Sequence, residues 1–109
     1  MPEWAEVRMT ADFINIVAAG KFVTDIKFSP YAKLKNLERQ TLPYSISAKS
    51  RGKELGLIFR FGNWKCQYTI TLGMSGKFIL VCDEGDLPKH SHVRFVFSDR
   101  TELVFVDVR

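Results

Sequence analysis

Cysteine is scarce in this 109-residue chain: there are two, Cys66 and Cys82, and they fit no metal-ligand spacing. Two thiols so placed exclude a disulfide framework and argue against structural zinc. With no basic and apolar signal region at the N-terminus, they are expected to be reduced and the protein intracellular, nuclear if eukaryotic and otherwise cytoplasmic. No apolar run approaches the length that crosses a bilayer, so no membrane association is expected. There is no internal repeat and no low-complexity basic tail. The excess of positive charge, sixteen Lys and Arg against twelve Asp and Glu, is dispersed over Lys33/Lys35/Arg39, Lys49/Arg51/Lys53 and Lys89/His90/His92/Arg94. A polyanionic partner is favoured by this balance, but only folding can bring the charges onto one face.

What is present suits one domain, with 46% hydrophobic and 26% charged residues. A chain of this size buries roughly two thirds of its unfolded surface, which leaves little area for a deep pocket. Much of any functional site is therefore expected at the surface.

The segment Glu3 to Ala19 places Val7, Ala11, Ile14 and Ala18 at helical spacing, with Gly20 as the natural stop. From Lys21 the period becomes two: Phe22, Thr24, Ile26 and Phe28 alternate with Val23, Asp25 and Lys27. After a connector closed by Pro43, three runs follow (Tyr44, Ile46, Ala48; Leu55, Leu57, Phe59, Phe61; Cys66, Tyr68, Ile70, Leu72), separated by "RGK" and "GNWK". They read as hairpin-linked strands. Strands over Lys77 to Cys82, Val93 to Ser98 and Glu102 to Val108 complete the pattern. The fold class expected over residues 1–109 is mainly β: an antiparallel sandwich or pseudobarrel of about seven or eight strands, with the N-terminal helix packed against it. The chain stops inside the strand-like run "ELVFVDVR", and so is expected to be a fragment of something longer.

The opening "MPEWAEV" is open to two readings. Pro2 is tolerated at a helix start, and Glu3 and Glu6 suit the positive end of the helix dipole, which is a purely structural account. The other account comes from the rest of the chain. "MPEWAEV", "SRGKEL", "LGMSGKF", "LPKHSHVRF" and "FVDVR" resemble, in order and approximate spacing, the motifs of the formamidopyrimidine-DNA glycosylase and endonuclease VIII family of base-excision repair enzymes. "YSISAKSRGKELGLIF" and "LVFVDVR" are most similar to the animal Nei-like branch.

The resemblance implies a bifunctional DNA glycosylase and AP lyase acting on oxidised bases. Once Met1 is removed, Pro2 would present a secondary amine as nucleophile. Glu3 would be the acid/base, and Glu6 a supporting carboxylate one helical turn on. Lys53 would reach the phosphate and sugar at the lesion, with Arg51 a further backbone contact. Met74 would wedge into the duplex, Arg109 would pair with the orphaned base, and His90 would lie near the DNA backbone. The implied partners are damaged duplex DNA and a C-terminal helix-two-turn-helix domain of the same chain, in a monomer. No metal and no cofactor are implied for this domain, and little activity is expected of residues 1–109 alone.

The sequence departs from the family pattern in three places: Trp4 and Ala5 replace a small residue and a second proline, and Thr71 stands where many members have histidine. Trp4 would either crowd the damaged-base pocket or cover the core. Taken singly, Lys53 also reads as a solvated turn lysine and Met74 as core filler, although the flanking Gly73 and Gly76 favour an exposed turn and so the wedge. A histidine metal pair at His90 and His92 lacks a third ligand at suitable spacing. Two other function classes remain, a non-catalytic DNA-binding domain that keeps Met1 and a tautomerase using an N-terminal proline as base. In the second, the proline opens a strand rather than a helix.

Overall fold

Helix α1 (Trp4–Ala18) precedes seven strands: β1 (Val23–Phe28), β2 (Ser45–Arg51), β3 (Glu54–Phe61), β4 (Trp64–Thr71), β5 (Lys77–Val81), β6 (Ser91–Phe97) and β7 (Glu102–Val106). A 3-10 turn, Glu84–Asp86, lies between β5 and β6. The computed structural model describes residues 4–30, 42–73 and 75–108. Pro2, Glu3, Met74 and Arg109 thus lie outside the described residues.

Helix α1 buries Val7, Ala11, Ile14 and Ala18, the stripe its spacing predicts. Gly20, at φ 72°, ends it in the left-handed conformation that glycine adopts without a Cβ penalty. The N–H of Lys21 turns back to the carbonyl of Ala18 at 3.1 Å.

The strands form two antiparallel sheets, one in the order β1-β6-β7-β5 and one in the order β2-β3-β4. Their inner faces make the core: Leu55, Leu57 and Phe59 from the smaller sheet meet Val93, Phe95, Phe97 and Leu103 from the larger, with α1 closing one side. The Phe59 and Phe95 rings pack across the gap with centroids 5.9 Å apart. A bridge between Val23 and Tyr44 joins the two sheets, with N–H to carbonyl distances of 2.7 and 3.2 Å. The sandwich is thereby part-closed as a pseudobarrel. Burial pushes the Tyr44 phenol above its ordinary value, and Cys66 adds to that rise.

Strand β2 lies at a sheet edge, where unpaired backbone groups invite further pairing. Asn15 covers part of that edge, its Nδ2 donating to the Ala48 carbonyl at 2.8 Å and its Oδ1 accepting the Ala48 N–H at 2.7 Å. The helix is thus fixed to the sheet by a side chain that the helical wheel puts on the polar side.

Two expectations about burial need correction. In β1 Ile26 is buried and Phe28 packs against the core as the alternation expects, but Val23 is buried in place of Phe22 and Thr24, and Phe22 is 50% exposed. The cause is a register shift between Val23 and Asp25 against β6, which breaks the period of two. Phe61 and Cys66 share the core-facing side of β3 and β4 by register, yet both are exposed. The far end of that hairpin extends past its cover. The last two strands are also shifted slightly, since β6 begins at Ser91 and β7 ends at Val106.

Candidate nucleic-acid interface

The "RGK" segment forms the β2–β3 turn. Arg51 pairs with Glu54, leaving Gly52 and Lys53 as a two-residue loop with Gly52 at φ 59°. A positive φ at the first loop position alone is the II′ pattern that matches strand twist. Lys53 is exposed at its tip.

The register that aligns Arg51 with Glu54 and Lys49 with Gly56 also aligns Arg60 with Lys65. The outward side of this sheet therefore carries Lys49, Arg51, Arg60 and Lys65 against one carboxylate, Glu54. Folding gathers here a part of the charge that is scattered in the sequence. Over Gly56 lies a dent lined by Lys49, Arg51, Glu54, Gln67 and Thr69. A Cβ at Gly56 would stand 3.2 Å from Gln67 Nε2, so the glycine keeps that dent open.

Glu6 is exposed on the first turn of α1 and lines a cleft of about 310 Å³ with Met9, Thr10, Phe13, Lys77 and Phe78. Lys77 and Phe78 begin β5 directly after "LGMSG", so the cleft joins the start of α1 to that loop. Trp4 is 60% exposed. It does not cover the core.

The other motif loops meet at Asp107, a residue that sequence reasoning missed. Its Oδ1 accepts a hydrogen bond from Ser75 Oγ at 2.6 Å. Its N–H donates to the carbonyl of His90 at 3.1 Å, and its own carbonyl accepts from His92 Nε2 at 2.7 Å. The second ring nitrogen of His92, Nδ1, lies 3.0 Å from Ser29 Oγ. Because a carbonyl only accepts, His92 must carry its proton on Nε2. Both nitrogens are engaged, which leaves His92 unsuited to bind a metal in this arrangement. Among the described residues no group of three or more His, Cys, Asp and Glu is placed to hold an ion.

His90 is exposed and adopts φ 65°, a conformation uncommon outside glycine that draws attention to the loop. Gly76 donates to the Gly73 carbonyl at 3.3 Å, closing the turn of the "LGMSG" loop. A Cβ on Gly76 would meet the Phe105 ring at 3.2 Å, so this loop approaches β7 more closely than other residues permit. The structure thus brings together "LGMSG", "KHSH" and "VDVR", three segments far apart in sequence. One signal for Asp107 was present: it is a carboxylate in phase with the core-facing Leu103 and Phe105.

The fold and this arrangement have relatives. The family model described as "Formamidopyrimidine-DNA glycosylase N-terminal domain" matches residues 1–109. Human endonuclease 8-like 1 is 36% identical over 119 residues, covering 100% of this chain and 30% of that protein. The formamidopyrimidine-DNA glycosylase of Bacillus cereus is 31% identical over 115 residues, covering 100% of this chain and 41% of that protein. Among solved structures, Lactococcus lactis Fpg in complex with DNA containing an oxidised pyrimidine superposes with a TM-score of 0.77 at 25% identity, over 99% of this chain and 41% of that one. MutM in complex with DNA containing carbocyclic 8-oxo-G gives 0.79 at 26% identity, over 99% and 41%. The chain spans less than half the length of these relatives. With the family model matched along its whole length, the chain belongs to the formamidopyrimidine-DNA glycosylase family, as its N-terminal domain.

Proposed function

We propose that this chain is the catalytic N-terminal domain of a DNA glycosylase and AP lyase that removes oxidised bases from duplex DNA. The observation that carries this reading is the convergence of "LGMSG", "KHSH" and "VDVR" on Asp107. Residues of three segments that resemble DNA-contacting motifs are thus hydrogen-bonded to one another.

The chemistry begins when Met1 is removed, because an amide nitrogen cannot serve as nucleophile. The secondary amine of Pro2 then attacks C1′ of the lesion's deoxyribose as the base departs. An α-amino group titrates near 7.7–8.0, so a useful neutral fraction exists close to neutral pH. The resulting iminium acidifies the adjacent C2′–H, and loss of that proton expels the 3′ phosphate by β-elimination. A δ-elimination then releases the 5′ phosphate. Glu3 donates and accepts the protons of these steps, and Glu6 supports it.

Lys53, Arg51 and His90 hold the phosphates that fix register on the duplex. Met74 fills the space left by the everted nucleotide, and Arg109 meets the orphaned base. None of these steps needs a metal or cofactor in this domain. The remaining DNA contacts come from a helix-two-turn-helix domain further along the chain, in a monomer, and localisation follows the genome: nuclear in a eukaryote, cytoplasmic otherwise.

Borohydride trapping on an abasic duplex tests the reading in the full-length protein, with loss of Met1 established by mass spectrometry. A covalent adduct is expected from the processed protein and none from protein that retains Met1. If the processed protein binds the duplex but yields no adduct, a non-catalytic DNA-binding domain replaces the enzyme. Residues 1–109 alone should show weak or no excision.

A further inference from the structure

We propose that Asp107 is a positioning residue that ties the 73–76 loop to the 107–109 segment, so that Met74 and Arg109 are delivered to the DNA together. The inference rests on the glycosylase reading above and assigns a role that the reading itself does not require. Ser75 directly follows Met74, and Asp107 stands two residues before Arg109. The Ser75 hydroxyl to Asp107 carboxylate bond, 2.6 Å long, therefore links a direct sequence neighbour of Met74 to the segment that leads into Arg109.

Several features make Asp107 a node rather than an incidental contact. It is buried to 9% exposure, and burying a carboxylate is costly unless hydrogen bonds hold it. An O–H to carboxylate bond of this length belongs to the charge-assisted class, stronger than one between neutral groups. Its backbone is fixed on both sides, by the carbonyl of His90 and the ring of His92. The loop at the other end of the link is held close by the glycine contact between Gly76 and Phe105. A wedge and a base-pairing side chain on independent loops would each lose freedom on entering the duplex. Tying the loops beforehand lowers that ordering cost.

The test uses full-length protein with Met1 removed, on a duplex carrying a tetrahydrofuran abasic analogue with 2-aminopurine as the adjacent base. Fluorescence rises as 2-aminopurine is unstacked. Ser75→Ala and Asp107→Ala are each expected to slow that rise by about tenfold or more, the scale of one hydrogen bond to a charged group. Asp107→Asn, which keeps an acceptor at Oδ1 but loses the charge, should fall between the parent rate and that of Asp107→Ala. Because Ser75 is inferred to act through Asp107, Ser75→Ala with Asp107→Ala should be no slower than Asp107→Ala alone. Borohydride trapping on a single-stranded abasic oligonucleotide, which needs no wedge, should be unchanged.

A parental unstacking rate in Ser75→Ala would overturn the proposal, and so would equal losses in unstacking and single-strand trapping, which indicate general damage. If Asp107→Ala fails to fold, Ser75→Ala and Asp107→Asn still decide the matter. Met74→Ala separates this inference from its basis. If Met74→Ala loses the unstacking signal while Ser75→Ala keeps it, the coupling fails. If Met74→Ala keeps the signal, the wedge assignment beneath it fails instead.

Discussion

The two sheets of this domain reach their register by different means. The β2-β3-β4 sheet is made of sequence neighbours joined by two-residue turns, with Gly52 at φ 59° and Gly62 at φ 58°. The β1-β6-β7-β5 sheet joins strands from opposite ends of the chain, and only β6 to β7 is a hairpin. Its alignment is held by side chains: Arg94 to Glu102 within the sheet, Lys21 to Asp99 at one end, and the Asp107 node at the other. Local turns fix the first sheet as it forms, whereas the second must first close long loops and is then clamped. The motif loops gathered at Asp107 lie on the clamped sheet.

Breaking a clamp should have the largest effect. Glu102 is buried and accepts from Arg94 Nε at 2.7 Å and from Nη2 at 2.9 Å. Removing one partner of a buried bidentate pair costs about 3 kcal/mol, since the other charge loses its compensation. Glu102→Ala should lower the urea midpoint by a corresponding amount. The double change Arg94→Met with Glu102→Leu should recover most of the loss, because no uncompensated charge remains. A single-variant loss under about 1 kcal/mol would mean that this pair does not hold the sheet.

The same contrast governs what the sequence disclosed. The stripe Val7, Ala11, Ile14, Ala18 and the hairpins around "RGK" and "GNWK" were legible because their signals are local: a helical period, an alternation, a glycine at a turn. In β1 the alternation held for Ile26 and Phe28, but a register shift against β6 placed Val23 inside in place of Phe22 and Thr24. Nothing within β1 carries that information. Likewise the "LGMSG" and "KHSH" motifs were legible, but not Asp107, which joins their loops. Asp107 matters through Ser75, His90 and His92, partners that only the folded chain brings near. Asn15 was hidden for the same reason, since its partner is the backbone of a strand 33 residues away.

A smaller effect should come from the local sheet. At both Gly52 and Gly62 an added Cβ would meet nothing within 4 Å, so substitution there is a question of backbone conformation alone. Gly52→Ala should cost about 1–2 kcal/mol, the penalty for an L-residue held in the left-handed region, and Gly62→Ala about the same. Hydrogen exchange sharpens the comparison. Protection should fall for amides of β2, β3 and β4 while those of β6 and β7 keep theirs; loss spread evenly over both sheets would erase the distinction drawn between them.

The smallest expected effect lies at Asp99, in the one hairpin of the clamped sheet. Its carboxyl is held down to about 2, first by the Thr101 hydroxyl, then by the Thr101 N–H, with Lys21 contributing less. A depressed folded value stabilises the protein above the unfolded pKa, near 4, and that contribution is lost as pH falls through about 2. Asp99 is 45% exposed, so solvent screening keeps the contribution small. Because the hydroxyl leads and the ion pair follows, Thr101→Ala should flatten the acid limb of stability against pH more than Lys21→Met does. Added salt should weaken the Lys21 share while leaving most of the Thr101 share in place. Should Lys21→Met prove the more damaging between pH 4 and 2, this turn would be clamped by charge like the rest of its sheet, rather than by interactions within the turn itself, as the glycine turns of the other sheet are.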